Sequence, residues 1–256
     1  MNKHPVEKFD EAVSAKKSVL CLGLDPDPLL HRNTFEKHRF CMNIVDAVAE
    51  FVSAVKVNEN FVRDFSAEDH RKLTDKIHEE GCVAIYDCKM CDIENTVRAG
   101  IILVAEMGYD FITFNPVMGT LPTAVKYGRE HSVGTLVLLH PSNKESEKFF
   151  RQQLADGRKL YEKILAETHD YGAEGVVVGL HPQLTTEEVL AIRSFLGDEK
   201  IILFPGVGAQ GGDIDTALKA GGRLIVNIGR SIVYSSDPRE TAAKFHQKIM
   251  ETMMRR

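Results

Sequence analysis

Eight short apolar runs, rich in β-branched residues, recur along the chain between segments of helical character: Ser18–Leu24, Val52–Val57, Cys82–Asp87, Phe111–Asn115, Thr135–His140, Gly175–Gly179, Ile201–Pro205 and Leu224–Ile228. Continuous apolar runs that alternate with helices mark parallel strands buried on both faces. Eight such units in 256 residues predict a single-domain (β/α)8 TIM barrel over residues 1–256, with a doubly wound open sheet as the alternative. The intervening segments agree. Phe40–Phe51 puts Ile44, Val45, Val48 and Phe51 on one stripe, and Thr185-Thr186-Glu187-Glu188 reads as a helix start with acid in its first turn. The longest connection, Pro141–Glu174, is rich in charge and reads as a loop plus a helix, not a second domain.

Composition narrows the partners. With 43% hydrophobic and 27% charged residues, the chain has the make-up of an ordinary globular protein. Its 37 acidic and 32 basic residues give a formal charge of −5 without a long basic run, so no electrostatic footprint points to nucleic acid or an anionic membrane surface. A small molecule is the expected partner. No apolar run approaches the ~20 residues that span a bilayer, and Met1–Asp10 lacks the apolar core of a secretory signal; the expected location is the cytoplasm. The five cysteines, at 21, 41, 82, 88 and 91, are odd in number and mostly set in apolar surroundings, which fits reduced, packed thiols better than disulfides. Cys88-x-x-Cys91 has no second Cys or His pair at zinc spacing, so it too reads as structural.

In a barrel of this kind, reacting groups sit at the C-terminal ends of the strands and on the loops that follow. The expected strand ends here are Gly23-Leu24-Asp25-Pro26, Lys56-Val57-Asn58, Asp87-Cys88-Lys89, Asn115-Pro116 and His140-Pro141-Ser142-Asn143, so polar residues gather at one rim. Side chains alternate along a strand, so Asp87 and Lys89 point together into the mouth while Cys88 faces the helices. Lys56 reaches the same mouth, and Asp92, in the loop beyond, can turn back toward it. The expected product is an alternating Lys-Asp-Lys-Asp array. A salt-bridge network could serve stability alone, but at this rim a lysine between carboxylates can deliver a proton and an aspartate can repel an anionic substrate group. The glycine-rich stretch Pro205-Gly206-Val207-Gly208-Ala209-Gln210-Gly211-Gly212, followed after the eighth run by Gly229-Arg230-Ser231, suits phosphate, since barrels often bind it with the loops after strands seven and eight. Arg230 would add a forked, permanent cation.

These motifs, in this order, resemble those of the orotidine 5′-phosphate decarboxylase family. The hallmark D-x-K-x-x-D-I followed by N-T stands as Asp87-Cys88-Lys89-Met90-Cys91-Asp92-Ile93-Glu94-Asn95-Thr96, and the resemblance runs from Gly23-Leu24-Asp25-Pro26 to Gly229-Arg230-Ser231. Carried over position by position, it implies that Lys56, Asp87, Lys89 and Asp92 form the charged catalytic array, with Lys89 the proton donor. It further implies that Asp25 and Lys56 contact ribose hydroxyls. Ile93 and Pro205 join the substrate-binding set, and Gln210, Gly229 and Arg230 hold the phosphate. Asp92 and Thr96 would come from the second subunit of a homodimer with shared sites, and Ser142 would contact the pyrimidine. The implied reaction turns orotidine 5′-phosphate into uridine 5′-monophosphate without cofactor or metal, and association with orotate phosphoribosyltransferase, for which the chain carries no domain, is compatible with it. Two positions depart from the family pattern: Glu94 stands where proline is most common, and the fifth-strand motif His140-Pro141-Ser142-Asn143-Lys144 differs from the usual forms, with His140 readable as a packed or capping residue. The rival readings are a metal-dependent sugar-phosphate decarboxylase or aldolase on the same barrel, which would need a carboxylate where Lys56 stands, and a noncatalytic nucleotide-binding protein.

Overall fold

The computed structural model describes residues 3–181, 184–206 and 214–255. Its strands are β1 (Leu20–Leu24), β2 (Ala54–Asn58), β3 (Val83–Met90), β4 (Phe111–Phe114), β5 (Gly134–His140), β6 (Gly175–Val178), β7 (Ile201–Phe204) and β8 (Leu224–Ile228). They pair in parallel in chain order, and β8 returns to β1 to close the barrel. Every strand expected from the sequence is present. The largest difference is at β3, which continues past Asp87 to Met90 after a register shift against β4.

The alternation of side chains along each strand divides the apolar residues into two clusters. One fills the barrel: Cys21, Ala54, Val83, Ile85, Phe111, Leu136, Leu138, Val177, Ile201, Leu203 and Ile225 belong to it, and Phe9 and Ala12 of the helix Pro5–Lys16 join it from below. Phe9 is fully buried and plugs the base. The other cluster lies between strands and helices, with Leu20, Leu22, Val55, Val57, Ala84 and Ile112 among its strand members. Because the period along a strand is two, each inward stripe continues from an apolar residue below to a polar residue above. Cys21 leads through Gly23 to Asp25, Ala54 leads to Lys56, Ile85 to Asp87, Phe111 to Thr113 and Ile225 to Asn227.

The helices form by the local rules the sequence displays. The segment expected as Phe40–Phe51 begins earlier, as the helix Thr34–Val48, because Asn33 caps it by accepting the Glu36 amide at 2.9 Å. Phe51 lies beyond its end and packs on the core. Thr185 and Glu188 form the reciprocal capping box that opens the helix Thr186–Leu196. The long connection after β5 contains a turn at Lys144–Ser146, one helical turn at Glu147–Phe150 and the helix Leu160–Tyr171.

Candidate active site

The polar ends of the inward stripes surround a cavity of about 360 Å³ at the C-terminal end of the barrel. Among the described residues, its walls carry three cations, Lys56, Lys89 and Arg230, against two carboxylates, Asp25 and Asp87. An excess of positive charge in a concave, partly desolvated space favours an anionic ligand.

Asp87 is the hub. Its Oδ2 accepts from Lys56 Nζ at 2.6 Å, and its Oδ1 accepts from Lys89 Nζ at 2.8 Å and from the Thr113 hydroxyl at 2.9 Å. Lys56 and Asp87 are only 4% and 7% exposed. Burial opposes charge on both, but the pairing outweighs it. Lys56 is raised above the ordinary lysine range by Asp87 and, behind it, Asp25, and Asp87 is held well below the usual carboxylate range by Lys56 and then Lys89. Both therefore stay ionised at neutral pH. Lys89 differs in being half open to solvent, its side chain 45% exposed, so its ammonium faces the cavity.

The other expected residues divide cleanly. Asp25, Ser142, Pro205, Gly229 and Arg230 all line the cavity. Oδ1 of Asp25 is buried with no hydrogen-bond partner among the described residues, an acceptor that a ligand hydroxyl would satisfy. Tyr234 fixes the loop that carries it, its hydroxyl donating to the Asp25 carbonyl at 2.9 Å and accepting the Asp27 amide at 2.6 Å. Gln210 falls outside the described residues. Asp92, Ile93 and Thr96 are exposed and do not line this cavity. Oδ1 of Asp92 accepts the next residue's amide, that of Ile93, at 2.7 Å. Within one chain the array thus has three members, not four: the loop after Met90 carries Asp92 away from Lys89 into the start of the helix Glu94–Glu106.

Two glycines of the motifs have steric reasons. A Cβ on Gly23 would lie 2.9 Å from Cα of Gly229, so the ends of β1 and β8 meet backbone to backbone beside Arg230. A Cβ on Gly179 would lie 2.3 Å from the Ser142 amide nitrogen, so the chain after β5 rests directly on the end of β6.

His140 is fully buried and lies outside the cavity wall, as the packed reading expects. Its Nδ1 is 3.3 Å from Glu147 Oε1, and Nε2 of His181 is 3.1 Å from the same oxygen. Arg151 pairs with both Glu147 and Glu188. Burial, reinforced by Arg151, pushes His140 down to about 4, so the ring is neutral at ordinary pH. Sequence spacing shows no dense ligand set, yet the fold brings His140, Glu147 and His181 within 4.8 Å of one another. With Arg151 already on Glu147, the group works as a polar staple between β5, the turn Glu147–Phe150 and the loop after β6, ionic at Arg151 and neutral at His140.

Sequence reasoning missed Thr113 and Asn227 and gave Asn58, placed at the rim, no role; all three are on the cavity wall. The signal was available for all three: each stands at or next to the end of a strand and on its inward parity.

Known proteins supply the remaining identification. The family described as "Orotidine 5'-phosphate decarboxylase / HUMPS family" matches residues 18–245. An orotidine 5'-phosphate decarboxylase of Roseiflexus sp. (strain RS-1) is 32% identical over 97% of this chain and 99% of its own length, and one of Dechloromonas aromatica (strain RCB) is 31% identical over 96% of each. Among solved structures, Leishmania donovani UMP synthase superposes with a TM-score of 0.82 at 25% identity, covering 98% of this chain and 57% of that one. Leishmania donovani OMP decarboxylase superposes with a TM-score of 0.81 at 23% identity over 98% and 99%. The chain belongs to the orotidine 5'-phosphate decarboxylase / HUMPS family.

Proposed function

We propose that this protein decarboxylates orotidine 5′-phosphate to uridine 5′-monophosphate in pyrimidine synthesis, using its own side chains and no cofactor. The observation that carries the reading is Asp87 held between two ammonium groups at the mouth of a cavity that Arg230 also lines. Loss of carbon dioxide from ring carbon 6 breaks a carbon–carbon bond and leaves its electron pair on a carbon with no carbonyl placed to delocalise it. The site must therefore stabilise the pair by charge. Lys89 faces that pair and then delivers an Nζ proton to carbon 6. Asp87 lies against the departing carboxylate and disfavours the ground state. Asp25 and Lys56 take the ribose hydroxyls and Ser142 the pyrimidine, while Arg230 and Gly229 hold the phosphate, whose remote binding energy is turned into rate.

The sugar-phosphate reading requires a carboxylate for a metal ion at the end of β2. Lys56 stands there, 2.6 Å from Asp87, and its ammonium would repel the cation. A pure binding module has no use for a carboxylate set against its ligand's own carboxylate. The deciding experiment follows the ultraviolet change of orotidine 5′-phosphate with purified protein, with and without a chelator. Equal turnover in both arms is expected. Loss on chelation that magnesium restores would favour the metal-dependent reading, and nucleotide binding without turnover the binding module.

Asp92, Ile93 and Thr96 enter this reading through a second copy of the chain, acting in the cytoplasm, a setting compatible with association with orotate phosphoribosyltransferase. Support comes from their setting: exposed Ile93 shares its end of the barrel with exposed Val117 and Met118, and Thr120 Oγ1 donates to the Asp92 carbonyl at 2.9 Å, tying the two loops together. A homodimer with shared sites predicts complementation. Lys89→Ala and Asp92→Asn proteins, each nearly inactive, are refolded together at equal concentration. Random pairing makes about half the dimers mixed, each with one intact site, so activity recovers to roughly a quarter of wild type. No recovery in a mixture shown to contain heterodimers rules out the shared site.

A further inference from the structure

We infer that Thr113 is a positioning residue that holds Asp87 and Lys89 in one frame, an inference that rests on the decarboxylase reading for its kinetic consequence. Thr113 is on the inward parity of β4, above Phe111, and is fully buried at the cavity wall. Its single hydroxyl makes two bonds: Oγ1 accepts the Lys89 backbone N–H at 2.8 Å and donates its proton to Asp87 Oδ1 at 2.9 Å. Neither direction can be reversed, because an amide N–H only donates and an ionised carboxylate only accepts. One oxygen thus links the main chain of the lysine to the side chain of the aspartate.

The register of the sheet shows why such a link is required. Pairing between β3 and β4 runs Ile85↔Phe111 and Tyr86↔Ile112, then resumes at Met90↔Phe114. Across that gap Asp87, Cys88 and Lys89 all stand opposite Thr113. An excess on one strand bends it and takes its residues out of the ladder. Lys89 consequently adopts φ of 47°, one of only three non-glycine residues with positive φ among the described residues. That conformation is costly for a residue with a Cβ and persists only where surrounding contacts impose it. The Thr113 hydroxyl is such a contact: it satisfies the Lys89 amide that has no strand partner there and, through Asp87, fixes the ion that Lys89 Nζ meets at 2.8 Å. The bulge aims the lysine, and Thr113 locks the bulge.

Two substitutions separate positioning from packing. Thr113→Val keeps the shape and removes the hydroxyl; Thr113→Ser keeps the hydroxyl and removes the methyl. We expect the valine variant to fold and to lose about 10- to 100-fold in kcat with KM within about threefold of wild type, because substrate affinity resides in contacts this change leaves alone. Its acid limb should also move to higher pH, since Asp87 loses a bond that favours its charged form. The serine variant should stay within about threefold of wild-type kcat. If valine keeps wild-type kcat, or serine falls as far as valine, Thr113 only fills space and the inference is overturned. A second measurement is independent of turnover: the Lys89 amide should be protected from hydrogen exchange in wild type and the serine variant and lose protection in the valine variant. Equal protection in all three overturns the inference. An inactive wild type with the expected exchange pattern instead removes the decarboxylase reading and leaves the positioning role standing.

Discussion

Two buried aspartates occupy opposite ends of this barrel, and their partners are nearly the same. At the base, Asp110 is 1% exposed; its carboxylate accepts from Lys8 Nζ at 2.7 Å, His78 Nε2 at 2.8 Å and the Ala84 amide at 2.8 Å. At the rim, Asp87 accepts from two lysines and a threonine hydroxyl. Burial opposes ionisation of both, and in both the neighbouring donors outweigh it and hold the carboxyl below its usual range, Lys56 and Lys89 at Asp87 and His78 and Lys8 at Asp110. Paired charge alone therefore does not distinguish a reaction site from a structural clasp. The difference lies in what surrounds it. Asp110 joins the N-terminal helix, the helix Ala67–Glu79 and β3 at the start of β4, whereas Asp87 opens on a cavity through Lys89.

The largest expected break in the symmetry comes from Lys89→Ala. The folded variant should lose turnover by at least about 10^4-fold, a transition-state loss of about 5 kcal/mol, because in the proposed mechanism Lys89 is the ammonium that faces carbon 6. Near-normal turnover in steady-state assays would return Asp87 to the same structural class as Asp110.

Arg230→Ala should act at the far side of the rim with a smaller effect. Removing a charge-assisted clamp is expected to lower kcat/KM for orotidine 5′-phosphate by about 10^2-fold, close to 3 kcal/mol, mainly through KM. The phosphate-free nucleoside, which has nothing for Arg230 to hold, should react at an unchanged rate. Equal losses on both substrates would assign Arg230 to structure.

At the base, Asp110→Asn should leave turnover per folded molecule intact and lower stability by about 2 kcal/mol. This is less than the loss of a fully buried pair, because Lys8 and His78 are each 35% exposed and can be rehydrated. The sign with pH follows from the depressed carboxyl: its contribution is complete above the unfolded value of about 4 and is lost as pH falls below it toward the folded value. Wild type and variant should therefore converge in denaturant titrations below about pH 4. A constant gap down to the acid limit would show that Asp110 contributes packing and not charge.

The barrel was legible because its code is local: each strand is a short apolar run, and parity along it tells which residues look inward. That same parity carried Asp25, Lys56 and Asp87 to the mouth. Parity gave no direction for Asp92, which lies in a loop; the helix that follows sets how the chain leaves Met90, and Asp92 is exposed and off the cavity of its own chain. The backbone of Lys89 and the role of Thr113 depend on a mismatch between two strands, which neither strand displays alone. The group at His140, Glu147 and His181 gathers residues up to 41 positions apart, so no spacing rule could find it. Phe9 gave no sign of plugging the base, since one aromatic in an amphipathic helix fits any apolar surface.

The seam between Gly23 and Gly229 has a consequence for the order in which the molecule can be made. These residues lie 206 positions apart, and contacts that close so long a loop are entropically late in folding. Lys56, Asp87 and Lys89 come from the neighbouring second and third strands, so the charged cluster can assemble in a chain that is still an open sheet. Arg230 reaches its place only when the eighth strand docks on the first. A ligand that needs both ends of the cavity binds the completed ring alone, and its binding free energy adds directly to the stability of closure.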